Sequence, residues 1–307
     1  MADCPKDPDL CLQDGRRVLA VGEVLWDVFE NSKCLGGAPL SFSVHAKRLR
    51  CDPRLISAVG NDRLGECAIA KIASLELATA SIQRTSQFNT GTAQVFVGPG
   101  ETTRFVISRP AAYDAIAISD ENVKPLQEWN PSWLYYGTLF ANRPEGKAVL
   151  NRLFEEFPST RKFYDLNLRP GHGSAELVLE LLSNADVVKL NEDELEAVHQ
   201  LVGLPLRIES FCREGARRYG WKAVAVTLGA NGCGVLSGNE YVEVPGYAVS
   251  VADPVGAGDA FAAAFLHGLG SGWPVGKIGQ FANRVGAIVA SRPGGIPDWT
   301  LEEALKL

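Results

Sequence analysis

The sequence has no long apolar run, no excess of basic residues and no closely spaced pair of cysteines. Its apolar segments all stop short of the roughly 18 residues needed to cross a bilayer. The 30 lysines and arginines are outnumbered by 36 acidic residues, giving a formal charge of −6. Such a chain lacks the positive field that binds nucleic acid or anionic membranes. Seven cysteines without a C-x-x-C pair disfavour a disulfide scaffold or a zinc site and favour free thiols in a reducing cytosol.

Three further signatures are missing. Residues 1–15 are polar and charged, which predicts a frayed tail and not a secretory signal. The first apolar strand is followed by Gly22–Leu25 in place of the G-x-G-x-x-G dinucleotide fingerprint. Ser271–Lys277 lacks the first glycine and the closing Ser or Thr of a Walker loop. Composition is otherwise ordinary for a globular protein, so we expect a folded cytoplasmic protein without these nucleotide loops.

Short apolar runs alternate with helical patterns along most of the chain. The first run, Arg17–Gly22, is continuous, as expected for a strand that is covered on both faces. This alternation predicts βαβ units in an α/β fold with an open, mostly parallel sheet. The later apolar runs are 54–59, 133–136, 162–165, 186–189 and 223–228, and the helical patterns are 40–49, 144–157, 175–183, 192–201 and 207–219.

Two segments break this alternation. Residues 92–97 and 103–107 flank the turn-rich Gly98–Glu101, which predicts an antiparallel hairpin. Residues 24–30 alternate in a strand-like way directly after the first strand. They predict a small β lid, inserted at about 24–31 and 90–108 in one domain that spans 1–307, although a plain extension of the main sheet fits these residues equally well. Two short strands (233–236 and 241–244) and two helices (260–269 and 275–291) are predicted near the C-terminus.

The most informative segment is Asp253–Phe261. Gly256, Ala257 and Gly258 directly precede a helical run, so their backbone amides can bind an anion at a helix N-terminus. Asp259 would repel a bound phosphate but suits an attacking hydroxyl beside it, because phosphoryl transfer uses an Asp to accept the acceptor's proton. The alternative is that Asp259 caps the helix and the glycines form a turn.

In their order along the chain, these motifs resemble those of the ribokinase-like (PfkB) carbohydrate kinases. Asp253–Asp259 resembles the family's D-T-x-G-A-G-D motif, and Gly36–Leu40 resembles its G-G-x-x-x-N motif in the form familiar from fructokinases. The resemblance covers about residues 17–296 and implies a ribokinase-like fold with a small β lid. The other matching segments are Asp165–Pro170, Lys189–Glu194, Thr227–Gly232 and Phe281–Asn283.

The resemblance implies a sugar site at the N-terminal motifs. Asp27 would accept hydrogen bonds from sugar hydroxyls, and Gly36 and Gly37 would let the backbone approach the ring closely. An exposed strand residue and a simple turn are the alternative interpretations. Further substrate-contact candidates are Ser41, Gln94, Arg104, Asn167 and Arg169.

The resemblance also implies a nucleotide site. Asn191 would reach the phosphates and Glu194 would organise Mg²⁺ through water; the two side chains can point the same way at i and i+3. The alternative is an N-cap completed by a capping box. Related members often bind K⁺ near the backbone around Asp253 and Ser291. Further nucleotide-contact candidates are Thr227, Gly229, Gly232 and Asn283.

Three departures from the family pattern bear on the substrate. Ser41 replaces the Asn that closes the glycine-pair motif, and Pro254 replaces a Thr and removes a backbone donor beside the predicted anion site. An acidic sugar contact is not found near Trp133–Phe140, where Thr138 is the nearest polar candidate. The last departure favours a fructokinase-like substrate over ribose.

The sequence therefore predicts an ATP- and Mg²⁺-dependent sugar kinase, with K⁺ as a further ion and a ketohexose such as fructose as acceptor. The alternatives are another acceptor (ribose, a nucleoside, 2-keto-3-deoxygluconate or a sugar phosphate) or a sugar- and nucleotide-binding protein with impaired catalysis. The expected partners are the sugar and ATP, without nucleic acid or membrane. The exposed face of the lid could pair two copies as a homodimer.

Overall fold

The computed structural model describes residues 17–97, 103–168 and 173–306. The predicted N-terminal tail, the Gly98–Glu101 turn and Arg169 lie outside the described residues. Within these ranges, thirteen strands form two sheets. The strands are β1 (Arg17–Val21), β2 (Leu25–Val28), β3 (Lys33–Gly36), β4 (Asp52–Gly60), β5 (Ile82–Thr85), β6 (Gly91–Val97), β7 (Thr103–Ile107), β8 (Trp133–Gly137), β9 (Arg161–Asp165), β10 (Val187–Asn191), β11 (Ala223–Thr227), β12 (Cys233–Ser237) and β13 (Glu240–Val244).

The larger sheet is mostly parallel, as the alternating pattern predicts. Its strand order is β13-β12-β11-β10-β9-β8-β1-β4-β5, and only the pairs β11/β12 and β12/β13 are antiparallel. Parallel strands that are joined by helical crossovers bring their carboxyl ends to one edge of the sheet. Asp165, Asn191 and Thr227 end three neighbouring strands at that edge.

Helices cover both faces of the larger sheet, and each face has its own apolar core. One core packs α1, α2 and α9–α11 against the sheet and contains Phe42 and Phe265. The other packs α3 and α5–α8 and contains Leu150 and Phe211. The helices are α1 (Ala38–Arg48), α2 (Arg63–Ser74), α3 (Asp120–Trp129), α4 (Thr138–Ala141), α5 (Pro144–Glu156), α6 (Ala175–Asn184), α7 (Glu192–Val202), α8 (Ile208–Tyr219), α9 (Ala257–Gly270), α10 (Val275–Ala290) and α11 (Leu301–Lys306).

The smaller sheet has the strand order β3-β2-β6-β7. The predicted hairpin is present as β6 and β7, but residues 24–36 form two antiparallel strands, β2 and β3, where the sequence pattern indicated one. On β2, Trp26 donates from Nε1 to the carbonyl of Leu64 at 3.1 Å and so anchors this sheet to α2. Of the described helices, none is both long and apolar enough to span a membrane.

Four of the described helices were not predicted from the sequence: the short α4 and α11, and the longer α2 and α3. Gly65 lies in the first turn of α2 and Pro125 lies inside α3, and both residue types weaken a helical pattern. The start signals were nevertheless present. The side chain of Asp62 accepts from the Gly65 amide, and the side chain of Ser119 accepts from the amide of the third residue of α3, so each is an N-cap.

Candidate active site

A cavity of about 550 Å³ lies between the smaller sheet and the N-terminus of α9. Strand β2 contributes Asp27 to it, and the first turn of α9 contributes Gly258 and Asp259. The fold therefore brings the N-terminal glycine-pair motif and the C-terminal Asp253–Asp259 motif to the same cavity. The predicted site residues that line the cavity are Asp27, Gly36, Gly37, Ser41, Asn167, Asn191, Glu194, Asp253, Gly256, Gly258 and Asp259.

The glycine pair makes room for two different groups. A Cβ atom on Gly36 would lie 2.6 Å from Oδ2 of Asp27, so the carboxylate occupies the space that a side chain would need. Gly37 has φ 113°, and a Cβ there would lie 2.3 Å from the backbone oxygen of Glu23. The first glycine thus accommodates a side chain and the second accommodates the backbone. Gly37 also precedes α1, whose buried Ser41 donates its amide to the Gly37 carbonyl at 2.9 Å.

The N-terminus of α9 has the geometry of an anion site. Gly256 has φ 80°, and a Cβ there would meet the Gly295 carbonyl oxygen at 2.1 Å, which excludes any side chain. The amides of Gly258 and Asp259 lie in the first turn, where an α-helix provides no intrahelical acceptor. Ala257 departs from the prediction: its amide donates to the Pro254 carbonyl at 3.3 Å, and the residue does not line the cavity.

Asp253 fixes the loop in front of α9. Its Oδ1 accepts from the amide of Val255 at 3.0 Å, and its Oδ2 accepts from the amide of Gly294 at 3.0 Å. The carboxylate therefore joins the two backbone segments that approach each other at Gly256. This clamp holds the loop in place although Pro254 has no amide hydrogen to contribute.

Asn191 and Glu194 form the capping box that was the alternative interpretation. The amide of Glu194 donates to Oδ1 of Asn191 at 2.8 Å, and the amide of Asn191 donates to Oε2 of Glu194 at 2.8 Å. The other carboxylate oxygen of Glu194 accepts from the Leu168 amide at 2.8 Å. Burial raises the pKa of Glu194, while the charge of Lys189 opposes this shift. Both capping residues also line the cavity, so the cap and a ligand contact are compatible.

Sequence reasoning missed Lys189, which contributes an ammonium group to the cavity. Its Nζ donates to Oδ1 of Asp165 at 3.0 Å, and the hydroxyl of Tyr135 donates to Oδ2 of Asp165 at 3.0 Å. Burial alone would lower the pKa of Lys189, but the charges of Asp165, Glu194 and Asp259 outweigh it and raise the pKa. A lysine between apolar residues of a central strand was the available signal, because such strands are buried on both faces.

Four predicted nucleotide contacts are not in the lining of the cavity. Thr227 pairs in register with Asn191, next to the site. Gly229 follows β11 at φ 55°. A Cβ on Gly232 would lie 2.0 Å from the carbonyl oxygen of Val244, and the Nδ2 of buried Asn283 donates to that same oxygen at 3.2 Å. The amide nitrogen of Asn283 is thus directed at the backbone beside the Gly232 turn, and its contact with the nucleotide stays a prediction.

Of three other candidates, Gln94 and Thr138 do not line the cavity, and Arg104 is described only in its backbone. Gln94 is exposed, while its neighbour Ala93 lines the cavity; alternate strand residues face opposite ways, so the side chain of Gln94 is directed away from the cavity. The hydroxyl of Thr138 is fully buried and bonds to Tyr164 Oη at 2.6 Å and to the Leu166 carbonyl at 2.5 Å. The backbone of Arg104 pairs with that of Phe96, and its side chain lies outside the described part of the structure.

Comparisons with known proteins agree with this architecture. The family model for pfkB family carbohydrate kinases matches residues 13–301. An uncharacterized sugar kinase of Pyrococcus horikoshii is 31% identical over 292 residues, which cover 92% of this chain and 89% of that protein. Its crystal structure in complex with ATP has a TM-score of 0.80 at 27% identity and covers 94% of this chain and 97% of that chain.

Two further relatives act on different acceptors, as their names state. An ATP-dependent 6-phosphofructokinase of Thermoanaerobacterium thermosaccharolyticum is 28% identical over 302 residues, covering 92% of this chain and 90% of that protein. Fructokinase-1 of Zea mays is 27% identical over 291 residues, covering 90% of this chain and 88% of that protein. The resemblance inferred from the motifs is confirmed, and the chain belongs to the pfkB family of carbohydrate kinases.

Proposed function

We propose that this kinase transfers the γ-phosphoryl group of ATP to a hydroxyl of a ketohexose such as fructose. The observation that carries the proposal is the single cavity that joins Asp27 and the glycine pair to the N-terminus of α9. The ATP complex of the Pyrococcus horikoshii sugar kinase supports the donor, and the resemblance to Fructokinase-1 of Zea mays supports the acceptor.

The chemistry assigned to the chain's own residues is positioning, proton transfer and charge stabilisation. Asp27 and the backbone at Gly36 and Gly37 would orient the sugar. Asp259 would accept the proton of the attacking hydroxyl, for which its position beside the first-turn amides of α9 is suitable. Those amides would stabilise the negative charge on the moving phosphoryl group. The smaller sheet would act as a lid that excludes water and so limits ATP hydrolysis.

The residues present fit Mg²⁺ that arrives with ATP. Among the described residues, no group of three or more His, Cys, Asp or Glu side chains is arranged to hold a metal ion. Mg²⁺ commonly binds through substrate phosphates, water and one or two carboxylates. Each Glu194 oxygen accepts one amide and keeps a lone pair for a metal-bound water. When bound, the ion would neutralise charge on the phosphate oxygens.

The fit to K⁺ is weaker. Both oxygens of Asp253 already accept amide hydrogens from Val255 and Gly294. A K⁺ ion in this region would therefore rely on backbone carbonyls near Ser291, and we assign it no step in the reaction.

The charge of the cavity favours a neutral acceptor. Among the described lining residues, carboxylates outnumber amines by five to one. An acceptor that carries its own phosphate or carboxylate would be repelled from the sugar end, where Glu23 and Asp27 lie. The charged side chains counted are Glu23, Asp27, Glu194, Asp253 and Asp259 against Lys189.

An acceptor panel tests the substrate. Sugar-dependent ADP release is measured with fructose, ribose, a nucleoside, 2-keto-3-deoxygluconate and fructose 6-phosphate. We expect the highest kcat/KM with fructose. A higher value with fructose 6-phosphate would contradict the neutral acceptor, and absence of ADP release with every sugar would favour the impaired binding protein.

The Asp259→Asn variant tests the chemistry. We expect kcat to fall by roughly 100- to 10,000-fold, the range for loss of a general base, while the melting temperature and ADP affinity are retained. The matched control is Asp120→Asn, since Asp120 lies at the exposed start of α3 and pairs with Arg152. Near-normal turnover in Asp259→Asn would remove this residue from the proposed role.

A further inference from the structure

The ammonium group of Lys189 lies against the first turn of α9. A Cβ atom on Gly258 would be 3.1 Å from Lys189 Nζ, so close that the ammonium would have to shift by a few tenths of an ångström. The amides of Gly258 and Asp259 belong to the same turn. A cation therefore lies where the helix amides would receive a phosphoryl group.

Packing alone does not account for this lysine. Lys189 and Asp165 are both buried, with 6% and 0% of their surfaces exposed, and the flanking Val188 and Leu190 are fully buried apolar residues. Burying an ion pair costs desolvation energy that its attraction often fails to recover, so two apolar residues would serve the sheet as well or better. The pair is better explained by a ligand that needs the charge.

The hydrogen bonds leave capacity for such a ligand. Lys189 Nζ lies 3.0 Å from Oδ1 and 3.4 Å from Oδ2 of Asp165, so two of its three N–H donors are directed at this carboxylate. The third can be donated into the cavity. Tyr135 holds the far side of Asp165 through its hydroxyl, which fixes the carboxylate from a neighbouring strand.

We propose that Lys189 is a further catalytic residue, whose ammonium binds the phosphoryl group during transfer, and that Asp165 and Tyr135 are positioning residues for it. This inference rests on the proposed kinase function. The bond between the γ-phosphorus and the bridging oxygen of ADP breaks, and a bond from the acceptor oxygen to that phosphorus forms. The acceptor's proton goes to Asp259. Lys189 keeps its own proton throughout and only donates a hydrogen bond.

The first test is Lys189→Met, with Lys162→Met as the matched control. Lys162 lies on the adjacent strand β9, where its amide bonds to Asp186, and it does not line the cavity. With the panel sugar that gives the fastest ADP release, we expect kcat of Lys189→Met to fall roughly 100- to 1,000-fold, as for loss of one transition-state donor. ADP affinity should be retained, whereas affinity for ADP with aluminium fluoride, a mimic of the moving phosphoryl group, should fall in parallel with kcat.

The second test is the pH profile of Asp165→Asn. The charged and titratable groups that face Lys189 are Asp165 on β9, Glu194 on α7, Asp259 on α9 and Tyr135 on β8. Without the Asp165 charge, burial lowers the pKa of Lys189, so the alkaline limb of kcat should move to lower pH. Asp186→Asn, which changes a residue at the other end of these strands, should leave the alkaline limb where it is. If Asp165 had only a structural role, Asp165→Asn would leave the alkaline limb unchanged as well.

Tyr135→Phe separates positioning from charge. It removes one hydrogen bond to Asp165 and no charge, so kcat should fall several-fold without a shift of the alkaline limb. If Lys189→Met does not fold, the Asp165→Asn profile decides, and an unchanged alkaline limb would overturn the inference.

Two outcomes of the Lys189→Met assay would also overturn it. One is a kcat within about threefold of the wild type. The other is an equal loss of affinity for ADP with and without aluminium fluoride. Absence of ADP release from the wild-type protein with every sugar would instead contradict the proposed function, so the two failures are distinguishable.

Discussion

Gly36→Ala is expected to impair the sugar site without destabilising the protein. A Cβ there would lie 2.6 Å from Oδ2 of Asp27, and the next nearest atom, Cγ of the same carboxylate, is at 3.5 Å. Gly36 is not among the glycines with positive φ, so alanine fits its backbone without strain. Only the end of one flexible side chain must move, and the fold should tolerate this.

The size of the effect follows from what Asp27 would lose. A hydrogen bond to a charged group contributes about 1.5–3 kcal/mol. If the displaced carboxylate loses one such bond to a sugar hydroxyl, kcat/KM should fall roughly 10- to 150-fold, since about 1.4 kcal/mol corresponds to a tenfold change. Turnover at saturating sugar should change less than KM, because the lost contact lies away from the reacting phosphate.

A double-mutant cycle isolates this mechanism. The sugar kcat/KM is measured for Gly36→Ala, Asp27→Ala and the double variant, with Gly276→Ala as control, since no atom lies within 4 Å of a Cβ at Gly276. If Gly36→Ala acts through Asp27, it should change kcat/KM by no more than about threefold in the Asp27→Ala background. Equal losses in both backgrounds, or a large drop in melting temperature, would refute the reasoning.

Two further predictions concern residues around the cavity. Burial lowers the pKa of His45 to about 3, and its ring bonds to Trp299 and to the carbonyl of Gly295. As the pH falls below about 6.5, the unfolded chain takes up a proton that the native His45 does not. This one group should therefore lower the free energy of unfolding by about 1.4 kcal/mol for each pH unit of decrease. Urea titrations at several pH values should show a shallower dependence in His45→Asn; equal slopes would contradict this. Cys34 lines the cavity, where burial and the charge of Asp27 raise its pKa, so iodoacetamide should inactivate the enzyme slowly at neutral pH and faster at higher pH. Cys34→Ser should be resistant, and inactivation at the wild-type rate in that variant would show that another group reacts.

The sequence predicted every strand of the main sheet except the edge strand β5, and it predicted the edge of the sheet that carries the site. Apolar runs such as 223–228 predict buried parallel strands, and the polar residues that end them, such as Asn191, must then gather at one edge. It was harder to predict which side chains of a lid strand face the cavity. Gln94 and Ala93 differ by one position, and the register of β6 decides which of them meets the cavity. A hairpin pattern alone does not reveal that choice.

Contacts between distant parts of the chain were beyond motif reasoning. The motif order predicts that Asn283 contacts the nucleotide, but it does not reveal that its amide nitrogen donates to the Val244 and Pro245 carbonyls at the end of β13. Lys189 was passed over because its partners, Asp165 and Gly258, are far from it in sequence and meet it only when β9, β10 and α9 have packed. Local sequence patterns carry no information on such long-range contacts.

One glycine in each of the two key motifs, Gly36 and Gly258, has a physical role that its sequence context hides. A glycine at a ligand site is usually explained by backbone that must approach the ligand or adopt positive φ. Gly36 and Gly258 are different, because each leaves room for the charged end of a side chain, Asp27 at 2.6 Å and Lys189 at 3.1 Å from the position of a Cβ. One charge faces the proposed sugar and the other faces the proposed phosphoryl group. A Gly→Ala change at either position should consequently behave as a displaced charge, with a loss that disappears when the charged partner is already removed.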